Sequence, residues 1–178
     1  MQLPKSMKAA ILVEQNKPLV IDQVELPQKL EVGQVLVKVL YSGICGSQLG
    51  EIDGAKGEDR YLPHLLGHEA SGVVQSVGSG VKFVKPGDHV VLHWRKSQGI
   101  ESIVPHYSWK GNKLNAGLIA TFNEYAIVSE NRVTRIDAAL DMEVASLFGC
   151  AVTTGFGVVE YNAKIKLGES VVIFGAGG

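Results

Sequence analysis

The first 135 residues of the chain alternate short apolar segments with polar turns. The apolar segments are rich in valine and isoleucine and show partial period-two alternation, which is typical of half-buried β-strands. They are MKAAILV, PLVIDQVEL, QVLVKVLYSG, ASGVVQSVG, DHVVLHW, FNEYAIVSE and RVTRI. Turn sequences between them, such as KPGD at 85–88 and VGSG at 77–80, favour hairpin reversals. The pattern predicts a mainly antiparallel β domain.

The pattern changes after Asp137. The segment DMEVASLFG begins with an acid placed to cap a short helix, and TTGFGVVEYNAKIKLGES predicts a second helix that ends at Gly168. ESVVIFGAGG then has the pattern of a buried strand that runs into glycines. A strand followed by Gly-x-Gly opens a dinucleotide-binding βαβ unit, although a glycine-rich turn without function has the same pattern. We therefore expect the chain to stop at the start of such a unit. Residues 95–117 are polar and weakly periodic, and we expect a long surface loop or lobe there.

Composition and charge exclude several classes of protein. Hydrophobic residues make up 46% of the 178 residues and charged residues 20%, as in ordinary globular chains. With 17 basic and 18 acidic side chains the net charge is −1, so nothing favours nucleic acid or a membrane surface as a partner. No apolar run approaches the roughly 18 residues that cross a bilayer, and the N-terminus lacks the features of a secretory signal. We expect a cytoplasmic protein.

The two cysteines and one histidine raise the question of a metal site. Cys45 lies in GICGS, His68 in LLGHEASG and Cys150 in LFGCAVTTG. Two cysteines far apart along the chain do not form a disulfide scaffold. Thiolate and imidazole are zinc ligands, and a catalytic zinc site uses three protein ligands and leaves a fourth position open. Taken singly, each residue is more often structural, and their spacing matches no compact zinc finger, so spacing does not decide between the two interpretations.

The joint pattern is more specific than any single motif. In this order and at these intervals, GICGS, GHEASG, KPGDHV, LFGCAVTTGFG and VVIFGAGG resemble the zinc-dependent medium-chain alcohol and polyol dehydrogenases. The resemblance implies a GroES-like catalytic domain over residues 1–150, a partly open β barrel. It also implies that residues 151–178 are the first helix and strand of a truncated NAD(P)-binding Rossmann domain. The implied activity is hydride transfer between NAD or NADP and a hydroxyl of a small alcohol, polyol or sugar.

The resemblance also implies roles for individual residues. Cys45, His68 and Cys150 match the ligands of one catalytic zinc. Ser47 matches the hydroxyl that hydrogen-bonds the substrate alcohol and passes on its proton, and Glu69 matches the acid behind the metal.

The cofactor and substrate residues follow in the same way. Thr154 matches a residue near the nicotinamide, and Gly175 and Gly177 match the first two glycines of the phosphate loop. Trp94 aligns with a wall of the substrate pocket, although a tryptophan that ends a strand is as often ordinary core.

Two departures from the family pattern change the expectations. Gln48 stands where relatives usually carry an aspartate; its amide can accept an N–H hydrogen bond from the ligand histidine but cannot raise the basicity of the imidazole as a carboxylate does. Many relatives also hold a structural zinc with four cysteines in the lobe, and this chain has no cysteine there, so we predict one zinc per chain. Packing must then hold the lobe, with Ile103, Tyr107 and Trp109 as candidate anchors.

Two alternative functions stay open. The chain could belong to a zinc-independent quinone or enoyl reductase of the same superfamily, or it could be a non-enzymatic binding or assembly module, because the β domain resembles the chaperonin-10 architecture. We expect the full-length enzyme to be a homo-oligomer, a dimer or tetramer. We expect the chain as given to be inactive by itself, because the dinucleotide fold is incomplete.

Overall fold

The computed structural model describes residues 3–175. Within these residues the strands are β1 Ser6–Leu12, β2 Val20–Glu25, β3 Gln34–Ser42, β4 His64–Leu65, β5 Glu69–Val77, β6 His89–His93, β7 Tyr107–Trp109, β8 Asn112–Leu114, β9 Tyr125–Ser129 and β10 Val133–Arg135. The α-helices are α1 Gly46–Ile52, α2 Met142–Ser146 and α3 Ala151–Gly157. Turns of 3₁₀ helix lie at Glu130–Arg132 and Leu147–Gly149, and a π-helical turn lies at Val158–Asn162.

The strands form two five-stranded sheets. The first has the order β4-β1-β2-β7-β8 and the second the order β10-β6-β5-β3-β9. Every pairing between these neighbouring strands is antiparallel. Each apolar segment predicted as a strand contains one, so the predicted antiparallel β domain is confirmed. Pattern analysis missed β4, β7 and β8, because two or three residues are too few to show a period.

Strand β3 of the second sheet and its edge neighbour β9 carry buried apolar residues on both faces. Leu36 and Ile127 belong to an apolar cluster shared with the first sheet. Their neighbours Val35, Val37 and Val128 belong to a second cluster on the opposite face. Successive side chains of a strand point to opposite faces, so β3 needs apolar residues at both. This explains its nearly continuous apolar run, QVLVKV.

The predicted helix cap after Asp137 is confirmed. The side chain of Asp141 accepts hydrogen bonds from the backbone N–H groups of Glu143 (2.8 Å) and Val144 (3.3 Å) at the start of α2.

Among residues 3–175 no single helix is long and apolar enough to cross a membrane. One pair of helical segments bent by 55°, Met142–Gly149 with Ala151–Asn162, passes that test by length and composition.

The lobe over residues 95–117 is only partly a loop, because β7 and β8 form a hairpin that joins the first sheet through β2. Tyr107 is buried in the core. Trp109 packs against the same cluster, and its indole N–H donates a 2.9 Å hydrogen bond to the carboxylate of Asp22. Both predicted anchors are confirmed.

The prediction that Ile103 is a third anchor of the lobe is wrong, because Ile103 is 61% exposed. This stretch of the lobe is held by polar contacts of its backbone instead. The Ile103 carbonyl accepts a 3.0 Å hydrogen bond from the side chain of Gln34, and the Ile100 N–H donates a 2.9 Å bond to the carboxylate of Glu130. Packing alone therefore does not hold the lobe.

The end of the chain also differs from the prediction. The helix expected to end at Gly168 ends at Asn162, after the π-helical turn. The expected strand is not formed, since residues 169–175 pair with no strand among the described residues, and Phe174 is 94% exposed. A strand is stable only against a partner strand or a packed layer. An apolar run by itself is therefore insufficient here.

Candidate metal centre

Three loops each bring one donor side chain to the same place. Cys45 lies between β3 and α1, His68 between β4 and β5, and Cys150 between the turn Leu147–Gly149 and α3. Their donor atoms, two sulfurs and a ring nitrogen, all lie within 4.8 Å of one another. All three residues are partly buried. The residues that the resemblance linked to zinc therefore converge in space.

Two glycines allow the loops to approach closely. A Cβ atom at Gly43 would lie 2.6 Å from a carboxylate oxygen of Glu69. A Cβ atom at Gly149 would lie 2.6 Å from Cβ of Glu69 and closer still to the carbonyl oxygen of Leu92. These distances are shorter than van der Waals contact, and close packing transmits such strain. A larger residue at either position would overlap Glu69, and at position 149 it would also overlap the backbone of Leu92.

Glu69 connects two of the donor loops. It follows His68 in the chain and is 2% exposed. Its Oε2 atom accepts hydrogen bonds from the backbone N–H groups of Cys150 (2.9 Å) and Ala151 (3.1 Å), where α3 begins. Hydrogen bonds to a charged acceptor are stronger than neutral ones. The acid expected behind the metal thus positions Cys150.

The two thiols have unequal environments. The backbone N–H of Ser47 lowers the pKa of Cys45 below its ordinary value of 9.0, and the Ser47 hydroxyl acts in the same direction, against burial and the charge of Glu69. Burial raises the pKa of Cys150, and the negative charge of a Cys45 thiolate raises it further. A thiolate on Cys45 therefore opposes ionisation of the Cys150 thiol. A divalent cation between the sulfurs would remove this opposition.

The two ring nitrogens of His68 are also unequal. Nδ1 lies 2.5 Å from Nε2 of Gln48 and 3.5 Å from Oγ of Ser47. Nε2 is buried and has no hydrogen-bond partner among residues 3–175. A buried polar atom without a partner is unfavourable, and a cation held with the two sulfurs would supply one. Two thiolates and an imidazole form the ligand set of a catalytic zinc, so the residues fit this ion.

Gln48 behaves differently from the expectation. Its Oε1 atom does not accept from the histidine ring; it accepts a 3.2 Å hydrogen bond from the backbone N–H of Cys45. The amide nitrogen is therefore the atom that faces His68. Only the fold could show this choice, because it depends on the turn from Cys45 into α1.

Comparison with known proteins identifies the family. Residues 31–138, more than half of the chain, match the family model of the alcohol dehydrogenase GroES-like domain. The chain belongs to this family. The matched range contains Cys45 and His68, and Cys150 lies beyond it. The resemblance and the fold class derived from the sequence are confirmed.

Curated relatives of this GroES-like domain chain are about twice as long. S-(hydroxymethyl)glutathione dehydrogenases of Escherichia coli O1:K1 and Shigella sonnei strain Ss046 are each 34% identical over 198 residues. The alignment covers 96% of this chain and 52% of either relative. The chain thus spans about half the length of the curated relatives it matches.

Solved structures show the same fold. The alcohol dehydrogenase zinc-binding domain protein from Burkholderia ambifaria superposes with a TM-score of 0.78 at 24% identity, covering 88% of this chain and 49% of that one. Benzyl alcohol dehydrogenase from Acinetobacter calcoaceticus superposes with a TM-score of 0.74 at 24% identity, covering 89% and 48%. Similarity at this level of identity shows the shared GroES-like fold.

Two further predicted residues lie beside the thiols of this GroES-like domain. The backbone N–H and the hydroxyl of Ser47 lower the pKa of the Cys45 thiol, and Oγ of Ser47 lies 3.5 Å from Nδ1 of His68. Oγ1 of Thr154, one turn into α3, lies 4.0 Å from Sγ of Cys150. Each hydroxyl is thus next to the candidate ion position.

A cavity of about 620 Å³ opens beside His68. Gln48 and Gly67 line it next to the ring, and the loop between α1 and β4 lines its outer side with Lys56, Gly57, Glu58, Asp59, Arg60 and Tyr61. Gln15 holds this loop: its side chain donates to the carbonyls of Glu51 and Gly57 and accepts from the N–H of Asp59. Sequence analysis missed the cavity. The charged, glycine-containing segment GAKGEDR after α1 was the available signal.

Three predicted residues remain: Trp94, Gly175 and Gly177. Trp94 is 44% exposed, the guanidinium of Arg95 lies 5.1 Å from its ring centroid, and it does not line the cavity beside His68. Gly175 has φ of 81°, which glycine adopts readily. Gly177 lies outside the described residues. The substrate and cofactor roles of these three residues stay predictions.

Proposed function

We propose that the full-length protein is a zinc-dependent oxidoreductase that transfers a hydride between NAD or NADP and a hydroxyl of a small alcohol, polyol or sugar. Residues 1–150 would be its catalytic domain, and residues 151–178 would lead into the cofactor-binding domain. The observation that carries the proposal is the convergence of Cys45, His68 and Cys150 within 4.8 Å, with the buried Nε2 of His68 lacking a partner among the described residues.

Each donor residue has its own role in the proposed zinc site. Cys45 and Cys150 hold one zinc as thiolates, and their two negative charges offset the charge of the ion. His68 provides the third donor through Nε2, and Glu69 keeps the Cys150 loop in place by its two backbone hydrogen bonds. Bound zinc supplies Lewis acidity, which makes an alcohol a stronger acid.

Ser47 is the proposed proton carrier. Its hydroxyl lies beside both Cys45 and His68, so Oγ can accept the proton of a substrate hydroxyl and pass it on. The cavity beside His68 is the proposed route for the substrate. Its outer loop carries charged side chains, which favours a hydrophilic alcohol or polyol over an apolar one. Trp94 would form a further wall of the substrate site.

The cofactor would bind at the other side of the centre. Thr154 would contact the nicotinamide, and Gly175 and Gly177 would contact its phosphates. Because the chain spans about half of its relatives, we propose that it does not reduce NAD or NADP by itself. The zinc-independent reductase and the assembly module gain no support from the three converging donors.

Zinc analysis of the full-length protein tests the proposal. We expect about one zinc per chain after purification without added metal, and its loss in the Cys45→Ser, His68→Asn and Cys150→Ser variants. His106→Asn is the matched control, because His106 is exposed and away from the cluster. Alcohol-dependent reduction of NAD or NADP should fall with the zinc content. A protein that takes up no zinc, even when zinc is supplied, refutes the proposal.

A further inference from the structure

Gln48 is wedged between two of the candidate ligands. It is 3% exposed. Its Oε1 accepts a 3.2 Å hydrogen bond from the Cys45 backbone N–H, and its Nε2 lies 2.5 Å from Nδ1 of His68. The backbone N–H of Gln48 in turn donates a 3.0 Å hydrogen bond to the backbone carbonyl of Cys45. The oxygen of the side-chain amide therefore contacts Cys45, and its nitrogen contacts His68.

These contacts determine which way the amide faces. The Cys45 N–H is a donor and must meet the carbonyl oxygen, so the NH₂ group faces the histidine ring. An amide NH₂ has only hydrogens to offer. The other group beside Nδ1 of His68 is the Ser47 hydroxyl, which at 3.5 Å is at the limit of a hydrogen bond, whereas the NH₂ group lies 2.5 Å away. Nδ1 therefore presents its lone pair to the NH₂ group, and in a neutral ring the proton sits on Nε2.

This arrangement conflicts with metal binding. Nε2 is the ring nitrogen without a partner among the described residues, and a metal there needs the lone pair that the proton occupies. After the metal binds, the ring proton moves to Nδ1, where it meets the NH₂ hydrogens of Gln48. Two donors then face each other unless the amide turns over, which would leave the Cys45 N–H without its acceptor.

We propose that Gln48 holds metal-free His68 in the tautomer that cannot bind a metal, and so makes this site weaker for divalent metals than the same site with a carboxylate at position 48. Gln48 is thus a positioning residue that acts against metal uptake. The inference rests on the metal site proposed above and concerns how tightly that site is filled.

The Gln48→Glu variant tests this by changing a single group, NH₂ to oxygen, at constant side-chain length. A carboxylate can accept from Cys45 N–H with one oxygen and from His68 Nδ1–H with the other. Changes in the partner of a metal-bound histidine alter metal affinity by about 10–100-fold. We expect Gln48→Glu to bind Co²⁺ tighter by about that factor. Gln23→Glu, on the exposed side of β2, controls for the added charge.

Two measurements on the full-length protein decide the matter. Metal-free protein is titrated with Co²⁺ against a chelator of known affinity, with thiolate-to-cobalt absorption as the signal. Separately, ¹⁵N–¹H correlation spectra of metal-free, histidine-labelled protein report the tautomer of His68 directly. We expect the Nε2–H form in the unmodified protein and the Nδ1–H form in Gln48→Glu.

The outcomes separate the two proposals. Equal Co²⁺ affinities of Gln48→Glu and Gln23→Glu, or an Nδ1–H tautomer in the unmodified protein, overturn the role of Gln48 and leave the metal site intact. If no protein binds Co²⁺, the metal site itself is refuted, and the tautomer still tests the contact. If Gln48→Glu does not fold, the tautomer of the unmodified protein decides alone.

Discussion

Replacing Glu130 by glutamine should destabilise the domain by about 2 to 3 kcal/mol, because a buried carboxylate that binds three backbone N–H groups becomes a neutral amide. Glu130 is 1% exposed. Its Oε1 accepts from the N–H groups of Lys82 (2.5 Å) and Phe83 (2.8 Å), and its Oε2 accepts from the N–H of Ile100 (2.9 Å). The side chain thereby ties two loops to the end of β9.

The magnitude follows from these three bonds. Glutamine keeps one oxygen for Lys82 and Phe83 but turns an NH₂ group towards the N–H of Ile100. One charged hydrogen bond, worth about 1.5 to 3 kcal/mol, is lost, and the two that remain become neutral and weaker. For a domain of this size the loss lowers the melting temperature by about 5 to 10 °C.

The effect should depend on pH. Burial by itself raises the pKa of Glu130, but the N–H groups of Lys82, Phe83 and Ile100 and the charge of Lys82 outweigh it, so the folded-state pKa lies below its ordinary value of 4.5. A group with a lowered folded-state pKa stabilises the fold above its unfolded-state pKa and loses this contribution as the pH falls through the folded-state value. The difference in stability between the unmodified protein and the Glu130→Gln variant is thus full near pH 7 and shrinks in acid.

Thermal unfolding followed by near-ultraviolet circular dichroism measures this difference. Glu25→Gln removes the same charge from an exposed position on β2, and we expect it to change the stability by less than about 0.5 kcal/mol. A Glu130→Gln protein that melts together with the Glu25→Gln control at pH 7 would refute the reasoning. So would a difference that stays constant as the pH is lowered well below 4.5.

Two further substitutions test the packing around the site and the lobe. Gly149→Ala should destabilise the protein by about 1 to 3 kcal/mol and weaken zinc retention, because the added Cβ would overlap the Leu92 carbonyl oxygen. The control, Gly155→Ala in α3, should be neutral or stabilising, because a Cβ there has no neighbour within 4 Å. Equal melting temperatures of the two variants in thermal unfolding would contradict this prediction. Tyr107→Phe should cost about 1 to 3 kcal/mol in urea unfolding, because the Tyr107 hydroxyl accepts a 2.8 Å hydrogen bond from the buried N–H of Ile127; an unchanged midpoint would show that this bond contributes nothing.

The strands and the helix cap could be predicted because their signals are local. Alternation of apolar residues reports which face of a strand is buried, and Asp141 caps α2 through residues two and three positions away. Strands such as β7 and β8 carry too few residues for a period. The apolar run near Phe174 shows the converse, because apolar residues form a strand only where a partner is available.

The amino-acid sequence alone determined the donor types of the candidate centre, two thiols and an imidazole, since chemistry follows from the identity of Cys45, His68 and Cys150. Only the tertiary structure decided their convergence, the bond from Cys150 to Glu69 across 81 residues, and the direction in which the Gln48 amide faces His68 across 20. The physical reason is that hydrogen-bond direction and burial depend on groups brought together by the packing of two sheets. No local pattern along the chain records those neighbours.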